Sequence, residues 1–293
     1  MVGLAALPGG VDTEGGIEVK IITEPSVYLV GQSAVNDAEL DRFLIDNDVA
    51  SWETDTEVGG EKLVEVAGRT CYMSFAKPRP GGNKAYIDHI LEVGHGSVLE
   101  HSVFTLLFSG VSRSLTHELV RHRAGMGYSQ LSQRYVDESD TDFVVPPMIN
   151  DLFEWGFREA NEHQKVTAGI YAEFARAVRE AQKSYQRLAD SLDGMLALTQ
   201  PHLDKTARRK AAREAARGVL PNATETKIVV TGNARALRHF IEMRGDLAAD
   251  AEIRRLAVAV LKVLQAASPN LFGDYQLNRV GGQESTTTPY TKV

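Results

Sequence analysis

The most informative stretch of this 293-residue chain runs from residue 121 to residue 135. It reads Arg121-His122-Arg123-Ala124-Gly125-Met126-Gly127-Tyr128-Ser129-Gln130-Leu131-Ser132-Gln133-Arg134-Tyr135. A basic triplet and two glycines precede a run of hydroxyl and amide side chains that ends on an arginine. Arginine presents a planar fork of donors that matches phosphate and carboxylate oxygens. Serine and glutamine supply directional hydrogen bonds to a heterocycle or phosphate, so the stretch indicates a nucleotide site.

The alternative interpretation is a cationic helix end that complements its own dipole, a contribution of about 0.3–1 kcal/mol. That effect accounts for one or two basic residues. It does not account for the glycines or for the alternating serine and glutamine side chains that follow.

The composition restricts the class of protein. The net charge is −7, with 43% hydrophobic and 24% charged residues. Proteins that wrap nucleic acid are usually basic, because phosphate neutralisation supplies most of their affinity. The helical stripe Arg209, Arg213 and Arg217 is therefore interpreted as a solvated face or a small site, and no nucleic-acid partner is predicted.

The remaining features of the sequence argue against a reactive cysteine, a metal site and a membrane segment. The single cysteine, Cys71, lies in an apolar helical pattern and is predicted to be buried and inert. A phosphoesterase built on His95, His101 and His122 would need an Asp/Glu grouping that is not visible, so no metal site is predicted. Without a signal peptide or an apolar run of about 18 residues, the sequence predicts a cytoplasmic protein with no membrane partner.

Hydrophobic periodicity and breaker residues predict a mixed pattern of elements. Strands are predicted over 18–22, 97–108 and 224–231, and helices over 37–46 (capped by Asn36), 60–71, 83–93, 111–121, 154–198 (one or two helices), 203–218, 233–243 and 250–267. We predict an α+β fold with one domain over 17–281, a flexible N-terminal tail over 1–16 and a C-terminal tail over 282–293.

The 121–135 stretch resembles the signature of flavin-dependent thymidylate synthases, which is an Arg-His-Arg triplet followed by seven residues and a serine. The likeness extends over roughly 60–275. It implies that family's fold, a mixed sheet with flanking long helices, and its cofactor FAD. It also implies NADPH and methylenetetrahydrofolate as co-substrates, dUMP as the nucleotide methylated at carbon 5, and a homotetramer with sites at subunit interfaces.

One departure from the family signature falls between Arg123 and Ser132. Eight residues, 124–131, separate them, and Ala124-Gly125-Met126-Gly127 stands where the family usually has an early serine. The family places this loop beside the flavin. A related branch, which methylates UMP in polyoxin-type nucleoside antibiotic biosynthesis, also has a lengthened loop, so UMP remains the alternative substrate.

The resemblance assigns cofactor contacts to three segments. Gly94–His101 is similar to a family stretch in which Ser97 and Glu100 lie at the flavin, although a capped turn is the alternative. The helix that begins after Asn233 is similar to a family helix whose asparagine and following residues meet the flavin. The predicted cofactor-binding residues are Ser97, Glu100, Arg121, His122, Arg123, Asn233, Arg235 and His239.

The resemblance also assigns the substrate contacts. Arg217 lies in Arg217-Gly218-Val219-Leu220-Pro221, which is similar to the family's Arg-x-Val-Leu-Pro, whose arginine reaches into a neighbouring subunit. Arg134 and Arg217 would hold phosphate, and Arg244 would polarise the uracil ring. The predicted substrate-binding residues are Gln130, Ser132, Gln133, Arg134, Arg217 and Arg244, of which Arg244 and Ser132 are the predicted catalytic residues.

Overall fold

The computed structural model of the chain describes residues 11–12, 19–49, 51–77, 80–158 and 163–292. The helices are α1 (Asp37–Asp46), α2 (Gly59–Thr70), α3 (Gly82–Glu92), α4 (Arg113–Leu119), α5 (Pro147–Arg158), α6 (Gln164–Thr199), α7 (Lys205–Ala216), α8 (Ala234–Arg244), α9 (Ala251–Ala267) and α10 (Pro269–Phe272). Two 3-10 helices, Gly96–His101 and Arg217–Val219, precede β4 and follow α7 respectively.

The strands are β1 (Val11–Asp12), β2 (Val19–Ile22), β3 (Ser26–Gln32), β4 (Val103–Ser112), β5 (Met126–Gln130), β6 (Phe143–Val144), β7 (Glu225–Asn233), β8 (Gln276–Val280) and β9 (Gln283–Thr287). They form a four-stranded sheet in the order β3-β4-β7-β5, a three-stranded sheet in the order β1-β2-β6, and the antiparallel hairpin β8-β9. The predicted α+β class with a mixed sheet and long helices is confirmed.

The described residues form two compact units. Unit 1 falls within Met1–Pro25, Ser109–His117 and Gln130–Ile228, and unit 2 within Ser26–Phe108, Glu118–Ser129 and Val229–Val293. The domain boundaries 17 and 281 stay a prediction, and the N-terminal tail predicted over 1–16 lies outside the described residues except for β1.

Each unit has its own apolar core. In unit 1, Val19 and Ile21 of β2 pack with Phe143, Val145 and Val178. In unit 2, α9 is buried along most of its length, and the rings of Phe104 and Phe272 meet edge to face with their centroids 5.7 Å apart. Edge-to-face ring pairs contribute roughly 0.5–1.5 kcal/mol beyond the area that they bury.

Several local predictions are confirmed by hydrogen bonds. The Asn36 side chain accepts a hydrogen bond from the backbone N–H of Glu39 at the start of α1. The Asn233 side chain accepts one from the backbone N–H of Ala236 at 2.8 Å, at the start of α8. Both are N-caps, which satisfy backbone donors that have no partner within the helix.

Other predictions differ from the structure. Cys71 is exposed at the end of α2, so its predicted burial is wrong. Residues 96–101 form a 3-10 helix ahead of β4 rather than the start of the strand. In place of a C-terminal tail, residues 283–287 are β9, because pairing with β8 supplies partners for a backbone that has few apolar side chains.

Candidate functional site

In unit 2, the guanidinium of Arg244 lies between a carboxylate and an imidazole. Arg244 Nε donates to His122 Nε2 at 3.0 Å, and Arg244 Nη1 donates to Glu118 Oε2 at 3.1 Å. The His122 ring also meets Phe240 edge to face, with centroids 5.4 Å apart. Because His122 Nε2 accepts this hydrogen bond, the imidazole is neutral there.

The electrostatics of His122 agree with that geometry. Burial lowers the pKa of His122 to about 4, and the nearby charges of Arg244 and His239 contribute to the shift. At neutral pH the cluster therefore carries the positive charge on Arg244 and none on His122. An electron-rich ring or a developing anion next to Arg244 would meet a permanent cation whose Nη1 is paired with Glu118.

The lowered pKa predicts a pH-dependent stability. Between pH 6.5 and about 4, the unfolded chain binds a proton at residue 122 that the folded protein does not bind. The free energy of unfolding should therefore fall as the pH falls through this window, and less so in His122→Gln. Urea unfolding at both ends of the window measures the difference, and identical pH dependence in the two proteins would contradict the prediction.

The other predicted cofactor-binding residues lie around the same part of unit 2. Arg235 Nη1 pairs with Glu100 Oε1 at 2.7 Å, and both side chains are about half exposed. Ser97 is exposed in the 3-10 helix that also holds Glu100. Arg121, Arg123 and His239 are also exposed. This set leaves cationic and hydrogen-bonding groups at the surface of unit 2, the donor type that a dinucleotide pyrophosphate takes.

The loop that departs from the family signature forms a tight turn. The backbone N–H of Met126 donates to Arg123 O at 3.3 Å, and Gly125, at the third position of the turn, has a φ of +69°. A positive φ at this position is typical of a type II turn and favours glycine. The predicted flexible loop is thus a turn followed by β5, and Gly125 O accepts from the backbone N–H of Asn233 at 3.2 Å.

Gly125→Ala should destabilise the protein by about 1–2 kcal/mol, because a side chain disfavours this backbone conformation. Its Cβ would also lie 2.6 Å from the side-chain nitrogen of Asn233, which caps α8. Gly127→Ala is the matched control, since the only neighbour of its Cβ within 4 Å is Thr231 O at 4.0 Å. Chemical denaturation of both variants tests this, and equal stabilities would contradict it.

In unit 1, the segment after β5 holds most of the predicted substrate-binding residues. Leu131 N–H donates to Lys227 O at 2.9 Å, and Ser132 O accepts from the backbone N–H groups of Tyr135 and Val136. Ser132 Oγ accepts from the backbone N–H of Arg134 at 3.4 Å. These bonds make residues 131–136 a compact turn.

Gln130 precedes this turn and Gln133 lies within it, and both side chains are half-buried. The Gln130 amide donates to Thr116 Oγ1 at 3.1 Å and to Thr226 Oγ1 at 3.4 Å. These contacts orient the Gln130 amide against two buried hydroxyl groups. Within the described part of the chain, the Gln133 side chain makes no comparable hydrogen bond.

Helix α7 holds the same turn from one side. Arg213 donates to Tyr135 O at 2.8 Å and to Asp137 Oδ2 at 2.7 Å. Lys210 lies over the Tyr135 ring, 4.7 Å from its centroid, and Arg134 pairs with Glu214 at 2.7 Å. The predicted stripe of arginines therefore divides: Arg213 is tied to the turn, whereas Arg209 and Arg217 are exposed.

A further arginine, Arg113, belongs to this cluster and was missed by the sequence analysis. Its Nη2 donates to Leu131 O at 2.8 Å, and its Nε is buried with no hydrogen-bond partner in the described part of the chain. Burial lowers the pKa of Arg113, as does the charge of Arg217, against the opposing effect of Glu138. An arginine in the first turn opposes the helix dipole, and that position is the signal that could have identified it.

Each of the two units carries its own cluster of polar and cationic side chains. Unit 1 collects guanidinium groups and a turn rich in donors, which suits a phosphate. Unit 2 collects Arg244, a neutral imidazole and exposed arginines.

Among the described residues, no helix has the length and hydropathy to cross a bilayer, and no group of three His, Cys, Asp or Glu side chains is arranged to hold a metal ion.

Comparison with known proteins identifies the family. Residues 54–270 match the family described as "Thymidylate synthase complementing protein". A flavin-dependent thymidylate synthase of Mycobacterium sp. (strain JLS) is 49% identical over 251 residues, which are 84% of this chain and 92% of the relative. One from Mycobacterium tuberculosis (strain ATCC 25177 / H37Ra) is 47% identical over 250 residues, with the same coverage of both chains.

Solved structures agree at the level of the fold. The UMP/dUMP methylase PolB from Streptomyces cacaoi, bound with 5-Br dUMP, superposes with a TM-score of 0.58 at 22% identity. The match covers 87% of this chain and 96% of PolB. PolB bound with 5-Br UMP superposes with the same score. On the sequence match over most of its length, the chain belongs to the flavin-dependent thymidylate synthase family and is a methyltransferase.

Proposed function

We propose that this protein methylates carbon 5 of dUMP to give dTMP, with FAD as cofactor and with methylenetetrahydrofolate and NADPH as co-substrates. Methylenetetrahydrofolate supplies the one-carbon unit, and NADPH supplies the hydride that reduces it to a methyl group. The observation that carries the proposal is the 49% identity over 251 residues to a flavin-dependent thymidylate synthase. The two arginine-rich clusters support it, since the substrate and the cofactor both carry phosphate.

The proposed cofactor site is the exposed surface of unit 2. Its residues fit FAD, because they offer exposed guanidinium and hydroxyl donors next to a helix N-terminus capped by Asn233. When bound, FAD would carry the reducing equivalents, and the protein would bind and orient it. The proposed contacts are Ser97, Glu100, Arg121, His122, Arg123, Asn233, Arg235 and His239.

The proposed nucleotide contacts divide by chemistry. Arg134 and Arg217 would bind the phosphate, and we add Arg113 because its buried Nε has no partner. Gln130, Ser132 and Gln133 would orient the nucleotide. Arg244 would lie at the uracil ring and polarise it as charge develops, which is electrostatic catalysis by a preorganised cation. Ser132 is the second proposed catalytic residue.

The assembly is part of the proposal. The resemblance implies a homotetramer in which Arg217 completes the site of a neighbouring subunit. The cytoplasmic location predicted from the sequence also stays a proposal.

The test is a product assay with dUMP and UMP in parallel, each with FAD, NADPH and methylenetetrahydrofolate. We expect a yellow protein that forms dTMP, and no product when the folate is left out. A colourless protein that binds no added FAD would overturn the proposal. Faster turnover of UMP than of dUMP would instead establish the alternative that the eight-residue loop 124–131 favours, methylation of UMP in nucleoside antibiotic biosynthesis.

A further inference from the structure

The C-terminal strand β9 is bonded to the end of helix α8. The Thr286 hydroxyl donates to Ile241 O at 3.2 Å, and the Thr286 backbone N–H donates to Gly245 O at 2.9 Å. Thr286 is only 5% exposed. Ile241 O also accepts from the backbone N–H of Gly245 at 2.8 Å, so the Thr286 hydroxyl is a second donor to this carbonyl. The carbonyl of Gly245 lies beyond the last turn, and the Thr286 N–H supplies its partner. Together the two bonds tie β9 to the end of α8 on both sides of Arg244.

The fit at this point is close. A Cβ placed on Gly245 would lie 2.0 Å from the Thr286 hydroxyl oxygen, so the strand packs directly on the helix end. Further along the same segment, the backbone N–H of Lys292 donates to Glu242 Oε2 at 3.1 Å. The segment 283–292 therefore contacts the last turn of α8 at several places.

A second connection joins the same segment to the middle of α8. Arg238 is buried and forms a two-pronged ion pair with Asp274, at 2.6 and 2.8 Å. The Thr288 hydroxyl donates to the same carboxylate of Asp274. The Tyr275 hydroxyl donates to Arg238 O at 2.8 Å. The buried side of α8 is thus held along its length, and the opposite side carries Arg235 and His239.

From these contacts we propose that Thr286 is a positioning residue: by closing the C-terminal end of α8, it holds the guanidinium of Arg244 against His122 and Glu118. This inference rests on the proposed function, because it assigns the role through the catalytic use of Arg244. The physical reason is that the contact restrains the last turn of α8. Arg244 is the last residue of α8, and an unrestrained last turn frays and carries its side chain with it.

The test replaces Thr286 with valine, which keeps the branched shape and the backbone bond to Gly245 but cannot donate to Ile241 O. Thr286→Ser restores the hydroxyl. Thr287→Val is the matched control, since Thr287 is exposed and its hydroxyl accepts from Asn278 on the neighbouring strand β8. Each variant is measured for nucleotide turnover, thermal unfolding and the NMR titration of the His122 ring.

The His122 titration reports on Arg244 without nucleotide or flavin, because the charge of Arg244 helps to lower the pKa of His122. In Thr286→Val we expect that pKa to shift upward from about 4. We also expect kcat/KM for the nucleotide to fall by about 10- to 100-fold, since small displacements of a catalytic group have effects of this size. Thr286→Ser and Thr287→Val should behave as the unmodified protein does.

Three results separate the hypotheses. If Thr286→Val keeps both the His122 titration and kcat/KM, the positioning role is overturned. If Thr286→Val lowers only the thermal midpoint, its role is structural and the inference is again overturned. If the His122 titration shifts in Thr286→Val but the unmodified protein methylates neither dUMP nor UMP, the positional contact stands and the proposed function fails.

Discussion

Arg244→Gln is expected to lower kcat for nucleotide methylation by about 100- to 1,000-fold, because it removes a preorganised cation aimed at developing charge. Glutamine retains one donor group for His122 but loses both the charge and the ion pair with Glu118. The measurement is steady-state turnover with saturating nucleotide and folate. A rise in KM with kcat unchanged would show that Arg244 only binds the ground state.

Arg279→Gln is the matched control for charge, because Arg279 is an exposed arginine on β8 of the same unit. It should leave kcat unchanged. The His122 titration adds an independent readout, since losing the charge of Arg244 should raise the pKa of His122. A full loss of turnover without any change at His122 would contradict the geometry in which the two side chains touch.

Arg217→Gln should raise KM for the nucleotide and lower kcat/KM by about 10- to 100-fold. A charge-assisted hydrogen bond contributes roughly 1.5–3 kcal/mol, and about 1.4 kcal/mol corresponds to a factor of ten. Arg209→Gln is the matched control, since Arg209 is an exposed arginine of α7 with no predicted substrate contact. Equal effects of the two substitutions would favour a general solvated face over a phosphate contact.

Mixing two impaired variants tests whether Arg217 acts in a neighbouring subunit. Arg217→Gln and Arg134→Gln each damage one phosphate contact. If the two arginines of one site come from different chains, mixed oligomers contain some sites with both arginines intact, and kcat/KM rises above that of either variant alone. If both arginines of a site come from the same chain, no site with both residues forms and kcat/KM does not rise.

Local signals in the sequence were sufficient for much of the secondary structure. The caps Asn36 and Asn233 mark the starts of α1 and α8, because their short side chains satisfy backbone donors only a few residues away. The edge strand β3 and the hairpin β8-β9 were missed. Their backbones find partners in strands distant in sequence or across a short turn, and their side chains show no long apolar pattern.

For the candidate site too, the sequence indicated some residues and missed others. The residues Arg134, Arg217 and Arg244 were assigned through motifs, and those assignments stay proposals. Arg113 was missed although its place in the first turn of α4 is unusual for a cation, because its contact is with the backbone carbonyl of Leu131, which side-chain patterns do not predict. Cys71 was wrongly placed inside, because it falls at the end of α2, where the helical pattern no longer determines which side is buried.

By itself, the sequence determined the family and the mixed class of fold, and it indicated cationic and hydrogen-bonding side chains for the site. These depend on residue identity and on spacings along the chain. Only the tertiary structure decided the state of the residues 121–135 and their partners. In the structure, Gly125 is the positive-φ residue of a turn, His122 is neutral, and Thr286 lies at the end of α8. His122 is neutral because it is partly buried and because Arg244, a cation 122 positions away in the chain, donates to its ring.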